Sequence, residues 1–169
     1  GIMEVDNFLC GEPEGIRNLP LGKVPGVVSN VCAAGLVQVL DELLEDQEGR
    51  GGQDEGHDYC GSGRAVSAEV RRFVVTNPSP LSIAAHHGQA SIVKRLLRVK
   101  GVKVGSGLKS VDVNRGFPLC IACDQNHEAV VEQLLAHDAI NVNLAMTDEN
   151  GMTPLLIACG KNHEAVVER

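Results

Sequence analysis

Apolar residues in this chain fall into paired short runs, each pair divided by one glycine or asparagine. Four stretches show the pattern: "VVSNVCAAGLVQVLDELL" (27–44), "PLSIAAHHGQASIVKRLL" (80–97), "PLCIACDQNHEAVVEQ" (118–133) and "PLLIACGKNHEAVVER" (154–169). The dividing residues, or pivots, are Gly35, Gly88, Asn126 and Asn162. Each stretch predicts a short helix, a turn and a second helix. The second helix carries apolar residues at helical spacing, as at Ala129, Val130, Leu134 and Leu135. Glycine or asparagine at the pivot tolerates the left-handed backbone that ends a helix. Ser79-Pro80 and Thr153-Pro154 supply a hydroxyl cap followed by proline at the first helical position, where no N–H is needed. Phe117 stands where the third copy would have its cap, and Val27 stands at the proline position of the first.

The register holds at three independent offsets. A small residue precedes each pivot by three positions: Cys32, Ala85, Cys123 and Cys159. A leucine pair follows by eight and nine: Leu43-Leu44, Leu96-Leu97 and Leu134-Leu135. The third and fourth copies agree at twelve of sixteen aligned positions, and the pivots are separated by 53, 38 and 36 residues. Between them, Asn150-Gly151 is a tight-hairpin signal.

With Thr153-Pro154-Leu155, the Ala-Cys or Ala-Ala pair, "NHEAVV", the leucine pair and "INVN" (140–143), the chain resembles the ankyrin repeat family. The resemblance covers roughly 24–169. The pivot spacings exceed the family's period of about 33. It implies an all-α, ankyrin-like solenoid of stacked helix-turn-helix repeats with short β-hairpin or loop connections. The expected organisation is a tail or partial cap at 1–23 and an array at 24–169. Its repeats lie near 24–45, 77–99, 115–137 and 151–169, the last truncated. The polar, glycine-rich 45–66 is expected to be a flexible insertion, because it buries too little to offset ordering. Residues 67–77 place Val70, Phe73 and Val74 at helical spacing, with strand as the alternative, and 100–110 reads as a smaller insertion. The chain stops in the middle of an amphipathic pattern and reads as part of a longer polypeptide.

Composition narrows the function classes. The aromatics are Phe8, Tyr59, Phe73 and Phe117 with no tryptophan, so the core must come from Leu, Val, Ile, Ala and Cys. A net charge of −7 without an aromatic-laced basic cluster disfavours nucleic acid as a partner. No run of eighteen apolar residues could cross a membrane, so no membrane insertion is expected, and the first residues lack a signal-peptide pattern. Cys123 and Cys159 would sit on helices about 8–10 Å apart, too far for a disulfide. The six cysteines then point to a reducing, intracellular and cytoplasmic setting.

Chemical motifs yield little. "HEAVV" lacks the second histidine of H-E-x-x-H, since Val131 and Val167 hold that place. In the ankyrin-like reading, His127 and His163 instead bond across the repeat to neighbouring backbone. The C-x-x-C of Cys120 and Cys123 falls on a packing face rather than at an exposed helix start. "HDYC" (57–60) offers two ligands where zinc needs four, and "GSGR" lacks the P-loop sequel. No catalytic residue, metal, cofactor or small-molecule substrate is expected. The resemblance implies a scaffold or adaptor that binds a protein through hairpin tips and the two positions before each pivot. Those are His86, His87, Asp124, Gln125, Gly160 and Lys161, with Glu149, Asn150 and Met152 at one tip. The alternative is a regulatory or targeting segment of a larger enzyme or effector.

Overall fold

Left-handed pivots fix where the first helices stop, and that stop sets the architecture. The computed structural model describes residues 20–44, 62–77, 79–104, 117–138, 140–143 and 151–169. A 3-10 turn at Leu21–Lys23 leads into α1 (Val24–Ala34), which α2 (Val37–Leu44) follows. Next come α3 (Ser62–Thr76), α4 (Ser79–His86) and α5 (Ala90–Leu97). The remaining pairs are α6 (Pro118–Asp124) with α7 (Glu128–Leu135), and α8 (Pro154–Gly160) with α9 (Glu164–Val167). Among the described residues there is no strand. Asn150 and the connection before it lie outside them, while Gly151 has the positive φ of 56° that its turn signal requires.

The pivots take φ of 73° at Gly35, 68° at Gly88, 58° at Asn126 and 56° at Asn162. Each turns the chain so that the next N–H reaches back to a helical carbonyl. Gln89 donates to Ala84 at 2.9 Å, His127 to Ala122 at 2.9 Å and His163 to Ala158 at 3.0 Å. This six-to-one bond satisfies a carbonyl that the helix end would leave open.

The pairs stack in two rows. First helices run α1, α4, α6, α8, and second helices run α2, α5, α7, α9. Small residues line the inner row, where Cys32, Ala84, Ala85, Ala122 and Cys123 are buried and let neighbouring helices approach. Leu40, Leu43, Ile92, Leu96, Val130 and Leu134 fill the space between the rows. Full burial of one such side chain contributes roughly 1.5–3 kcal/mol.

Four sequence expectations need correction. The flexible stretch expected at 45–66 is helical from Ser62 onward. Val66, Val70 and Val74 form a buried stripe at four-residue spacing that packs across α1 and α2. Arg71 fixes this helix by donating to the Leu44 carbonyl from Nε at 2.9 Å and Nη2 at 2.6 Å, which closes the end of α2. Ser79 is the first helical residue of α4 rather than its cap. Ala129 lies in solvent, because Val130 and Val131 face inward. Lastly, α1 begins three residues before Val27, with Pro25 in its opening turn.

The other helix starts follow the sequence. Thr153 Oγ1 accepts from the Leu156 N–H at 3.4 Å. Phe117 makes no such bond, but its ring is buried, and that burial offsets the missing cap.

Candidate interaction surface

Side chains just before the pivots emerge at the C-terminal ends of the first helices, so stacking brings them into one strip. His86 and His87 close α4, Asp124 and Gln125 close α6, and Gly160 and Lys161 close α8. All are exposed except His86 and Asp124, which are partly covered. The histidine rings meet edge to face, with centroids 5.1 Å apart and planes at 87°. Lys161 crosses to the preceding repeat, where Nζ lies 2.7 Å from Asp124 Oδ1 and donates to the Asp124 carbonyl at 3.2 Å. Gln125 Nε2 donates to the other oxygen, Oδ2, at 2.8 Å. Asp124 and Lys161, read separately in the sequence, are therefore a mutual pair. Both are more than a third exposed, so the pair contributes about 0–1 kcal/mol. Met152 is exposed and belongs to the neighbouring loop, while Glu149 and Asn150 lie outside the described residues.

Behind this strip the residue after each of the last three pivots ties its repeat to the previous one. Gln89 Nε2 donates to the Ala33 carbonyl at 3.2 Å. His127 Nε2 donates to the His86 carbonyl at 3.0 Å, and His163 Nδ1 to the Cys123 carbonyl at 2.8 Å. The carbonyl can only accept, so that ring nitrogen carries the hydrogen in each case. The preceding pivot decides which nitrogen is used. A Cβ on Gly88 would lie 2.8 Å from the His127 ring, and one on Gly35 would lie 2.3 Å from Gln89 Oε1. The glycines leave room for a side chain to reach the carbonyl two residues before the pivot. Asn126 has a Cβ there, and His163 reaches the carbonyl three residues before it instead.

The thiols are held in reserve by packing. Cys32, Cys120 and Cys123 are buried, and burial pushes Cys32 up to about 12 and Cys123 to about 11 from an ordinary value of 9.0. A redox C-x-x-C needs the opposite shift. Cys159, expected at the same buried position, is exposed, because among the described residues no helix lies over that side of α8. His57 and Cys60 lie outside the described residues, and among those described no cluster of His, Cys, Asp or Glu could hold a metal. Nor is any described helix long and apolar enough to cross a membrane.

The apolar side of α8 and α9 carries Leu155, Leu156 and Val167, all exposed. Compared with known proteins, residues 81–169 match the family model for ankyrin repeats in three copies. A search of curated proteins gave no match.

Proposed function

The chain belongs to the ankyrin repeat family, and from that premise we propose that it is a non-catalytic scaffold or adaptor whose exposed strip recognises a protein partner. Ankyrin repeats are generally protein–protein interaction modules. One observation carries the choice of strip. The two residues before the pivot change in every copy, from Ala33-Ala34 to His86-His87, Asp124-Gln125 and Gly160-Lys161, and in the last two copies they change while their flanks repeat almost verbatim. The last three pairs, from successive copies, reach the surface side by side. A rigid row of differing side chains on a repeated frame suits recognition by shape and charge rather than chemistry.

The test is affinity capture followed by quantitative comparison of two proteins. One is the unaltered chain, and the other carries His86→Ala, His87→Ala, Asp124→Ala and Gln125→Ala. Partners of the strip should fall by about tenfold or more, as expected when residues worth about 1.4 kcal/mol are lost. Circular dichroism should show the same helix content in both. Equal capture by the two folded proteins would refute this assignment.

A further inference from the structure

Positive charge is concentrated in one stretch of an otherwise acidic chain. Residues 62–104 hold eight Lys or Arg against the single acid Glu69, a net of +7 in a chain whose total is −7, so the remainder carries −14. Much of that charge gathers where α5 ends. Lys94, Arg98, Lys100 and Lys103 are exposed, and none of them forms an ion pair among the described residues. Arg95 stands apart from them, because Asp41 of α2 already holds it.

A packed backbone displays these cations. Val104 is buried, and Val99 and Val102 pack against the core, so Lys100 and Lys103 between them turn outward. The Val99 N–H donates to the Leu96 carbonyl at 3.0 Å and the Val102 N–H to the Val99 carbonyl at 3.3 Å, which closes the turn. Gly101 in that turn rests on α3, where its Cβ would lie 3.5 Å from Val75 Cγ1. Arg72 is three residues before Val75 on the same side of α3, so its exposed guanidinium extends the patch. Its pairing with Glu69 is long, at 3.9 Å. Stability does not account for the arrangement. Lys94 and Arg98 stand four residues apart on one face of α5, a like-charge spacing that opposes helix formation. The dipole at a helix C-terminus favours cations in its last turn, but it fades beyond that turn, where Lys100 and Lys103 lie.

We propose that the patch formed by Arg72, Lys94, Arg98, Lys100 and Lys103 binds an acidic segment of a partner protein. Other polyanions suit it less well. Among the described residues, no large apolar side chain is exposed on α3, α5 or the turn after it, so none is offered to stack on a base or enter a bilayer. A long nucleic acid or an anionic membrane would also meet the −14 of the remaining chain. A short acidic segment meets the patch alone. Helix α5 runs back from the pivot Gly88 for eight residues, about 12 Å, and carries the patch to the opposite end of the helix pair from the strip. The two surfaces are separate, and the second stands independently of the first.

The probe is a fluorescent peptide in which glutamate alternates with serine. Its carboxylates recur about every 6.6 Å when extended, close to the roughly 6 Å between Lys94 and Arg98 along the helix. Fluorescence anisotropy follows its binding to the 169-residue chain, which should weaken as salt is raised. Lys100→Glu with Lys103→Glu should weaken it about tenfold or more, as two surface attractions become two repulsions. Both positions lie outside the helices, and circular dichroism should show unchanged helix content. The reversed variant should instead prefer a peptide in which lysine alternates with serine, and this exchange separates recognition from a folding defect. No binding of the glutamate peptide by the unaltered chain overturns the proposal, as does equal binding by the two proteins. Equal weakening by Lys23→Glu with Arg169→Glu, the same change of net charge elsewhere, also overturns it. The stretch 45–58 of this chain holds six acids, and peptide binding that appears only when they are replaced by their amides would overturn the choice of occupant. Tighter binding of a DNA duplex, or of phosphatidylcholine vesicles containing phosphatidylserine, lost in the reversed variant, would do the same.

Discussion

The segments 118–133 and 154–169 share twelve of sixteen residues, yet among the described residues one has a helix pair on both sides and the other on one side. Helix α6 has α4 on one side and α8 on the other, whereas α8 has α6 alone among the first helices. The same leucine is buried at 119 and bare at 155. The same cysteine is a sealed thiol at 123 and an open one at 159. Local sequence decides that both segments become helix pairs, and the neighbour decides what each residue contributes.

The largest contrast should come from one substitution made twice. Leu119→Ala should cost about 2–5 kcal/mol, as large-to-small changes in packed cores do. Leu155→Ala should stay within about 0.5 kcal/mol, as for surface changes. Urea unfolding of the two variants measures both, and comparable losses would mean that the last pair is covered in solution. Amide exchange sharpens the same point: 154–169 should open before 118–135, and equal protection would contradict the contrast.

A smaller effect tests how each copy docks on its predecessor. Gly88→Ala should cost about 1–2 kcal/mol from the left-handed backbone alone, with more from the Cβ driven against the His127 ring. Asn126→Gly should be tolerated within about 0.5 kcal/mol, since His163 bonds elsewhere. Equal midpoints for Gly88→Ala and the unaltered chain would remove the steric account of the two histidine geometries.

The smallest contrast is at the helix starts. Thr153→Ala should cost about 0.5–1 kcal/mol, the lower part of the range for a lost hydroxyl cap, because its bond is long at 3.4 Å. In the preceding copy Phe117 does its work by burial, so Phe117→Thr should destabilise rather than rescue. Thermal unfolding of both variants checks the signs.

These contrasts also show what a sequence can reveal. The helix pairs, their pivots, the leucine pairs and the Thr153 cap are all legible, because each depends on residues a few positions apart. The cross-repeat bonds of His127 and His163 are legible once the repeat is recognised. The first turn of α3 is hidden, since Gly63 and its neighbours read as linker until Val66 is seen to pack on the first pair. The Asp124–Lys161 pair joins residues 37 apart, a spacing fixed by stacking rather than by any local period. Exposure of Cys159 could not be read from that residue at all. Burial belongs to the neighbour, and Cys159 is the same residue as its buried counterpart Cys123.

The partnership between a pivot and the residue after the next pivot bears on how such a chain can change in length by recombination. Removal of one 36-residue period between Gly88 and His163 would set His163 behind a glycine, the junction that His127 already uses. Duplication of the Gly88 copy would set Gln89 behind a glycine, as it stands now behind Gly35. Both products reuse a junction the molecule has already solved. Copies can be gained or lost here without the inventing of a new contact.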